Sequence, residues 1–481
     1  MDGEIRFALN GHMVGVGGVS PARTLLGWLR AEGLTATKEG CAEGDCGACT
    51  VLLGTPRPDG SHRDGHGVEW RAVNACLVLL AQVHGKAVVT AEGLTTADGA
   101  PHPVPRALAE AHGTQCGFCS PGFTMALTAL ALTDDRSEEG IRDAIAGNLC
   151  RCTGYRPILE AARGLPRLDL PLNPALVEDL RDLATRGLDV AHDGQRVIAP
   201  VSLGTVLSVR AAHPEAWVWA GGTDLGLRLT KALERPALVL SLGRVKALRG
   251  MRRIGDSLEI GATTPYAEAL GALATLAPAL GDLVRRVAAT QIRNLGTLAG
   301  NLGTASPIGD SMPPLLALDA QVVLGSERAE RVIPLEDFIT GYRKTVLARD
   351  EIIVAVRIPR PAPGMHVSCH KVAKRVDQDI STVSAAFALG LDGGRARHVR
   401  LAFGGVADRP KRAKRAEAAL AGQPWTRETL AAAKEALQDD IAPMDDARGS
   451  AAYRRLVAAN LLDRLFLETT ETTAPTRLEA L

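Results

Sequence analysis

Eight of the nine cysteines fall before residue 153, and their spacing limits what this chain can become. The run Gly40-Cys41-Ala42-Glu43-Gly44-Asp45-Cys46-Gly47-Ala48-Cys49 has the C-x4-C-x2-C pattern, with Cys76 as a fourth candidate. That is the plant-type [2Fe–2S] spacing. Four thiolates around two sulfides are anionic, so the loop must curl tightly and aim backbone N–H groups at sulfur. Gly40, Gly44 and Gly47 permit such a curl. A zinc knuckle is the rival reading, but zinc sites usually pair two C-x2-C units and do not need this glycine density.

A second set follows: Cys116-Gly117-Phe118-Cys119 and Cys150-Arg151-Cys152. Ser120-Pro121 opens a helical run to Leu132, Ser137-Glu138-Glu139 opens another to Ala146, and Arg156-Pro157 opens a third. Two of these cysteines therefore precede one helix and two lie between the next two. Helix N-termini present free N–H groups to an anion. By spacing alone, zinc remains a rival at this second set. Cys369 stands alone and is expected to be a buried, inert thiol.

The remaining organisation predicts a multidomain α+β chain. Residues 4–16 read as a β-hairpin turning at Asn10-Gly11, followed by a helix capped by Thr24, in a β-rich unit over 1–94. Residues 95–165 read as a helical bundle, 166–190 as a linker, 190–363 as an α/β domain and 366–481 as an α+β domain. The last helix, around 450–468, carries Tyr453, Val457, Leu461 and Leu465 as an expected core-facing stripe. With 55 Lys+Arg against 54 Asp+Glu, no basic excess suits a nucleic-acid or membrane-surface partner. No window approaches the ~18 consecutive apolar residues of a membrane span. The start, MDGEIRF, lacks the regions of a secretory signal, so the expectation is a cytoplasmic protein.

Two glycine-rich segments offer backbone and hydroxyl donors to a phosphate-bearing cofactor. One is Val218-Trp219-Ala220-Gly221-Gly222-Thr223-Asp224-Leu225; the other spans Asn294 to Asp310. Neither matches the Rossmann fingerprint, and each alone is more often a plain turn.

The runs Thr114-Gln115-Cys116-Gly117-Phe118-Cys119-Ser120-Pro121-Gly122 and Asn148-Leu149-Cys150-Arg151-Cys152-Thr153-Gly154-Tyr155 resemble the second iron–sulfur domain of the xanthine oxidase family of molybdenum hydroxylases. The resemblance extends along essentially the whole chain. It implies a β-grasp ferredoxin-like domain, a helical [2Fe–2S] domain, an FAD-binding domain of the PCMH type and a flavoprotein C-terminal domain. It assigns Cys41, Cys46, Cys49 and Cys76 to one cluster, and Cys116, Cys119, Cys150 and Cys152 to the other. Residues 218–225 match the family loop at the flavin nucleotide's pyrophosphate. Val287, Thr297, Asn301, Asp310, Ile353 and Lys371 fall on further FAD contacts.

Nothing in the chain resembles the family's molybdenum domains. The resemblance thus implies the small subunit of a xanthine-oxidising enzyme. Its large subunit would hold the molybdenum-pterin, which Gln115 and Cys152 would face, in a heterotetramer of two small and two large subunits. Electrons would pass through two [2Fe–2S] clusters to FAD and then to NAD. No residue here would be catalytic for hydroxylation. An aldehyde or other N-heterocycle hydroxylase is the alternative, and a zinc-binding scaffold is the reading from another class.

Overall fold

The computed structural model describes residues 1–57, 67–94 and 100–471, so the expected domain edges at 95 and 481 lie outside the described residues. The chain folds as two compact units. The first is Met1–Ala247 with Ala288–Gly296, and the second is Leu248–Val287 with Thr297–Leu481.

The first unit begins with the expected hairpin, Ile5–Leu9 and His12–Val16. Its turn residues Asn10 and Gly11 both take positive φ, 50° and 87°, as a type I′ turn requires. Three more strands, Ala87–Val89, Thr50–Pro56 and Val68–Asn74, complete a five-stranded sheet with one parallel pairing, Ile5–Leu9 against Ala87–Val89. Helix Leu25–Ala31 starts at Thr24, whose hydroxyl accepts from the Gly27 amide, and buries Leu25, Leu26, Trp28 and Leu29 on the sheet. Phe7 meets the Trp28 ring edge-on at 5.4 Å. Burying such side chains contributes about 1.5–3 kcal/mol each.

Four helices follow: Pro103–Glu110, Ser120–Ala131, Glu138–Ile145 and Arg156–Arg163. They close over Leu108, Phe123, Leu127, Ile141 and Ile158. The stretch expected as a linker departs from that expectation. Asn173 caps a helix, Pro174–Thr185, that packs Leu176, Leu180 and Leu183 against Ala8 and Ala87. Its apolar residues recur at helical spacing, and the prolines all lie at or before its first residue, where a helix tolerates them. A four-stranded sheet ends this unit, ordered Leu188–His192, Gln195–Ala199, Leu238–Ser241 and Trp217–Trp219, with the last three strands parallel.

The second unit holds an antiparallel five-stranded sheet ordered Met251–Ile254, Ser257–Gly261, Ile352–Pro359, Gln321–Gly325 and Glu330–Pro334. Helices including Tyr266–Leu276, Leu298–Thr304 and Met312–Ala317 share its core. A second antiparallel sheet, from His366–Val372 to Lys411–Arg412, packs with helices Arg427–Asp440 and Ala451–Thr470. In that last helix Leu461 and Leu465 are buried as expected, but Tyr453 is 45% exposed. Arg454 takes the interior place instead, because the first turn faces backbone carbonyls. Its guanidinium donates to the carbonyls of Thr382 and Gly405 and to Asp446.

One buried histidine ties the first unit together. The Arg6 amide donates to His84 Nδ1 at 3.0 Å, and His84 Nε2 lies 3.2 Å from Asp2 Oδ2. Arg244 donates to the His84 carbonyl at 2.6 Å and to that of Arg186 at 2.7 Å. Burial, then the Arg244 charge, hold the imidazole down to about 4, with Asp2 partly offsetting them. The unfolded chain takes up this proton near pH 6.5, while the native chain resists until about pH 4. Stability is therefore full above pH 6.5 and declines as pH falls toward 4, by about 3 kcal/mol. Urea unfolding at pH 7 and pH 4.5 should show a larger loss of midpoint in the wild type than in His84→Asn. Equal losses would remove His84 from this role.

Candidate functional site

The first cysteine loop is shaped by left-handed backbone at Ala42, Gly44 and Gly47, with φ of 55°, 87° and 66°. These turns point amides inward. The amides of Cys41 and Cys46 donate to Cys46 Sγ and Cys41 Sγ, both at 3.3 Å, and the Glu43 amide donates to Cys41 Sγ at 3.4 Å. Gly40 serves by size rather than by φ, since a Cβ there would sit 2.8 Å from Cys46 Sγ. Sheet register supplies the other pair. Thr50 is paired with Asn74, which brings Cys49 and Cys76 together just beyond the strand ends, both buried. The hydrogen bond from the Cys46 thiol, with the inward amides, brings Cys41 down to about 5 against the effect of burial. Cys76 is driven up by its thiol hydrogen bond to Cys49 and by burial.

At the second set, Cys119 immediately precedes helix Ser120–Ala131, and Cys150 and Cys152 lie between helices Glu138–Ile145 and Arg156–Arg163. Cys152 Sγ is 3.9 Å from Cys150 Sγ and 3.6 Å from Cys116 Sγ. Burial pushes the Cys119 thiol up to about 12. Burial also opposes ionisation of Cys150, but the Thr153 hydroxyl and amide bring it down to about 7. Cys116, Cys152 and Gln115 are exposed, beside the exposed apolar side chains of Phe118 and Leu149.

The donor chemistry fits iron–sulfur clusters. Each set offers four sulfurs, and inward amides face sulfur at the first. Among the described residues no three His, Cys, Asp or Glu side chains are arranged to hold a single metal ion. At the second set Cys152 neighbours both Cys150 and Cys116, so the sulfurs form a connected group. Cys369 stands apart on strand His366–Val372, its thiol raised by burial to about 12.

The two cysteine loops meet at a junction that sequence reasoning missed. The Leu149 amide donates to the Cys46 carbonyl at 3.0 Å, and Asn148 Nδ2 donates to the Gly47 carbonyl at 3.0 Å. Gln291 Nε2, from the late segment of the first unit, donates to Asn148 Oδ1 at 2.8 Å. Both amide side chains are buried. No local spacing signals this contact.

The flavin candidates divide between the units. In the first, the loop 218–225 leaves the carboxyl end of edge strand Trp217–Trp219, the end at which open parallel sheets bind ligands. Trp219 is fully buried in the core, so its ring is structural. A Cβ at Gly221 would meet the Leu295 carbonyl at 1.9 Å, and Gly222 has φ of 78° over the Trp219 ring. Val218, Ala220, Thr223 and Leu225 are half-buried, and Asp224 is exposed.

In the second unit, Thr297 caps helix Leu298–Thr304 and Asn301 accepts from the Ser311 hydroxyl at 2.6 Å. Lys371 Nζ bonds Asp310 Oδ2 at 2.7 Å and the Arg286 carbonyl at 3.0 Å, with its side chain 1% exposed. The expected charges thus pair with each other. Ile353 lies 3.7 Å from where a Gly303 Cβ would be, and Val287 packs against the same hydrophobic core. Gly300 and Gly303 are exposed and add no side chain to the Thr297-capped helix, which suits the approach of a flat ring system. These residues fit FAD.

Family models match in chain order. A 2Fe-2S iron-sulfur cluster binding domain matches residues 9–81 and a [2Fe-2S] binding domain 90–163. The FAD binding domain in molybdopterin dehydrogenase matches 192–361, and the CO dehydrogenase flavoprotein C-terminal domain 368–469. A xanthine dehydrogenase from Emericella nidulans is 33% identical over 97% of this chain, and the chain spans 38% of that protein's length. Aldehyde oxidase 2 of Cavia porcellus is also 33% identical, over 96% of the chain and 39% of the relative. Among solved structures, quinoline 2-oxidoreductase from Pseudomonas putida 86 superposes with a TM-score of 0.52 at 30% identity, covering 57% of this chain and 96% of that one. Carbon monoxide dehydrogenase from Hydrogenophaga pseudoflava gives 0.54 at 29%, covering 56% and 94%. Four domains in this order, and relatives of this similarity, make the chain a member of the molybdenum hydroxylase family of oxidoreductases, bearing its two [2Fe–2S] domains and its FAD-binding portion.

Proposed function

We propose that the chain is the iron–sulfur/FAD small subunit of a cytoplasmic xanthine dehydrogenase. One observation carries the reading above all others: eight thiols gathered as two sets on adjoining loops. Cys41, Cys46, Cys49 and Cys76 hold one [2Fe–2S] cluster, and Cys116, Cys119, Cys150 and Cys152 hold the other. The loop 218–225 binds FAD, as do Val287, Thr297, Asn301, Asp310, Ile353 and Lys371. Four domains, 1–94, 95–165, 190–363 and 366–481, carry these groups.

When bound, the clusters supply single-electron carriers between a molybdenum-pterin on the large subunit and an FAD that transfers hydride to NAD, in oxidising hypoxanthine and xanthine to urate. The chain's own part is to hold and insulate them. The exposed Cys116–Cys152 edge meets the large subunit, in a heterotetramer of two small and two large subunits. Xanthine as substrate is supported by the similarity to xanthine dehydrogenase along 97% of the chain. Neither a nucleic-acid nor a membrane partner is proposed. Among the described residues no helix is long and apolar enough to cross a membrane.

A second reading keeps the electron transfer and changes the substrate to an aldehyde or another N-heterocycle. The equal identity to aldehyde oxidase 2 and the likeness to quinoline 2-oxidoreductase favour it. Assaying the complex with xanthine, an aldehyde and a quinoline separates the two.

Metal and flavin analysis of the purified chain should give about four iron atoms and one FAD. Zinc in place of iron at the second set would leave a scaffold there instead of a relay. The sharper test is Cys150→Ala. Three remaining thiols hold the second cluster poorly, and Cys369 lies in the other unit. The variant complex should lose xanthine-to-NAD turnover, while NADH still reduces its flavin. Normal turnover would refute the proposed relay.

A further inference from the structure

The Gly47 carbonyl sits between Cys46 and Cys49, inside the first cysteine loop, and it is unusually well held. The Thr50 amide donates to it at 3.0 Å and the Thr50 hydroxyl at 2.6 Å. The third donor comes from far along the chain, Asn148 Nδ2 at 3.0 Å. A peptide group is planar and trans, so fixing this carbonyl on one side fixes the Ala48 N–H on the other. That N–H is directed toward the Cys46 sulfur.

Asn148 can serve this way only in one orientation. Its amide is buried, 2% exposed, and a flip would set Oδ1 against the Gly47 carbonyl oxygen. Gln291 prevents the flip by donating Nε2 to Asn148 Oδ1 at 2.8 Å. Gln291 is itself wholly buried, and its Oε1 lies 1.9 Å from where a Gly147 Cβ would be. The segment around it is seated independently. Thr290 Oγ1 donates to the Asp143 carbonyl at 3.0 Å, Arg293 pairs with the Asp143 carboxylate, and Asn294 Nδ2 donates to the Ala72 carbonyl at 2.8 Å.

We propose that Gln291 is a positioning residue for the first cluster: through Asn148 it locks the Gly47–Ala48 peptide so that the Ala48 N–H faces the Cys46 sulfur. The inference rests on the iron–sulfur reading above and deepens it. Hydrogen bonds to cluster sulfurs favour the more negative, reduced state, so this contact sets how readily the first cluster accepts an electron. Among the described residues no hydrogen bond joins Gln291 to a cysteine. It acts from a segment that follows both cysteine sets by well over a hundred residues.

The test is a redox titration of the iron-loaded full chain followed by low-temperature electron paramagnetic resonance. The wild type should show two signals on reduction. Cys150→Ala, which removes the second, identifies the first. In Gln291→Leu the first signal should shift and its midpoint potential fall, with the second signal and the iron content unchanged. Gly147→Ala leaves the glutamine in the sequence but crowds it out of place, and should move the first signal in the same direction. Wild-type spectra and midpoints in both variants would overturn the proposal. So would loss of iron from both sites in both variants, which would show a purely structural role. A wild-type chain that binds no iron would instead overturn the iron–sulfur reading itself.

Discussion

Sulfur atoms held within 4 Å of one another cannot all carry negative charge unless something positive joins them, and the first unit is organised around that constraint. Where Cys41 is brought down to about 5, its partner thiol Cys46 is pushed the other way. Cys150 at about 7 stands beside Cys119 at about 12 in the same fashion. In the proposed clusters, iron would resolve the conflict by accepting all four thiolates. The protein's share is to supply amide hydrogens and to exclude bulk. Backbone that turns its N–H groups inward is left-handed in places, which explains Gly44 and Gly47 and the less common Ala42.

Close approach then propagates outward. A Cβ at Gly47 would strike the Gly147 carbonyl, and one at Gly122 would strike the carbonyl of Gly47, at 2.3 and 2.2 Å. Gly44 is closed over by Leu77 and Ile292. The glycines of the loop thus serve two purposes, curling the chain around sulfur and admitting neighbouring backbone. An alanine at Gly122 would separate the loops, and with them the Leu149–Cys46 hydrogen bond.

Local chemistry was legible in the amino acids to a useful depth. Cysteine spacing, the Asn10-Gly11 turn and the Thr24 and Ser137 caps each act over a few residues and appear where expected. The helix Pro174–Thr185 was hidden by its prolines, though its leucines carried the period. Tyr453 misled because an apolar stripe says nothing of which carbonyls await a donor, and Arg454 answers to those. Lys371 and Asp310 were legible as candidates, but not as partners of each other. The Gln291–Asn148 contact was not legible at all, because it joins residues 143 positions apart and follows no period.

Residues 288–296 belong to the first compact unit although 248–287 before them belong to the second. A chain leaving the ribosome therefore displays both cysteine loops well before the segment that seals them has been made. At ordinary synthesis rates the chain from Cys152 to Gln291 takes roughly 7–28 s to make. During that interval the Asn148 amide lacks its Gln291 partner and the loop junction stands open on one side. On the iron–sulfur reading, that delay would leave time, ahead of closure, for iron to reach the thiols that the finished fold buries, Cys49 and Cys76 among them.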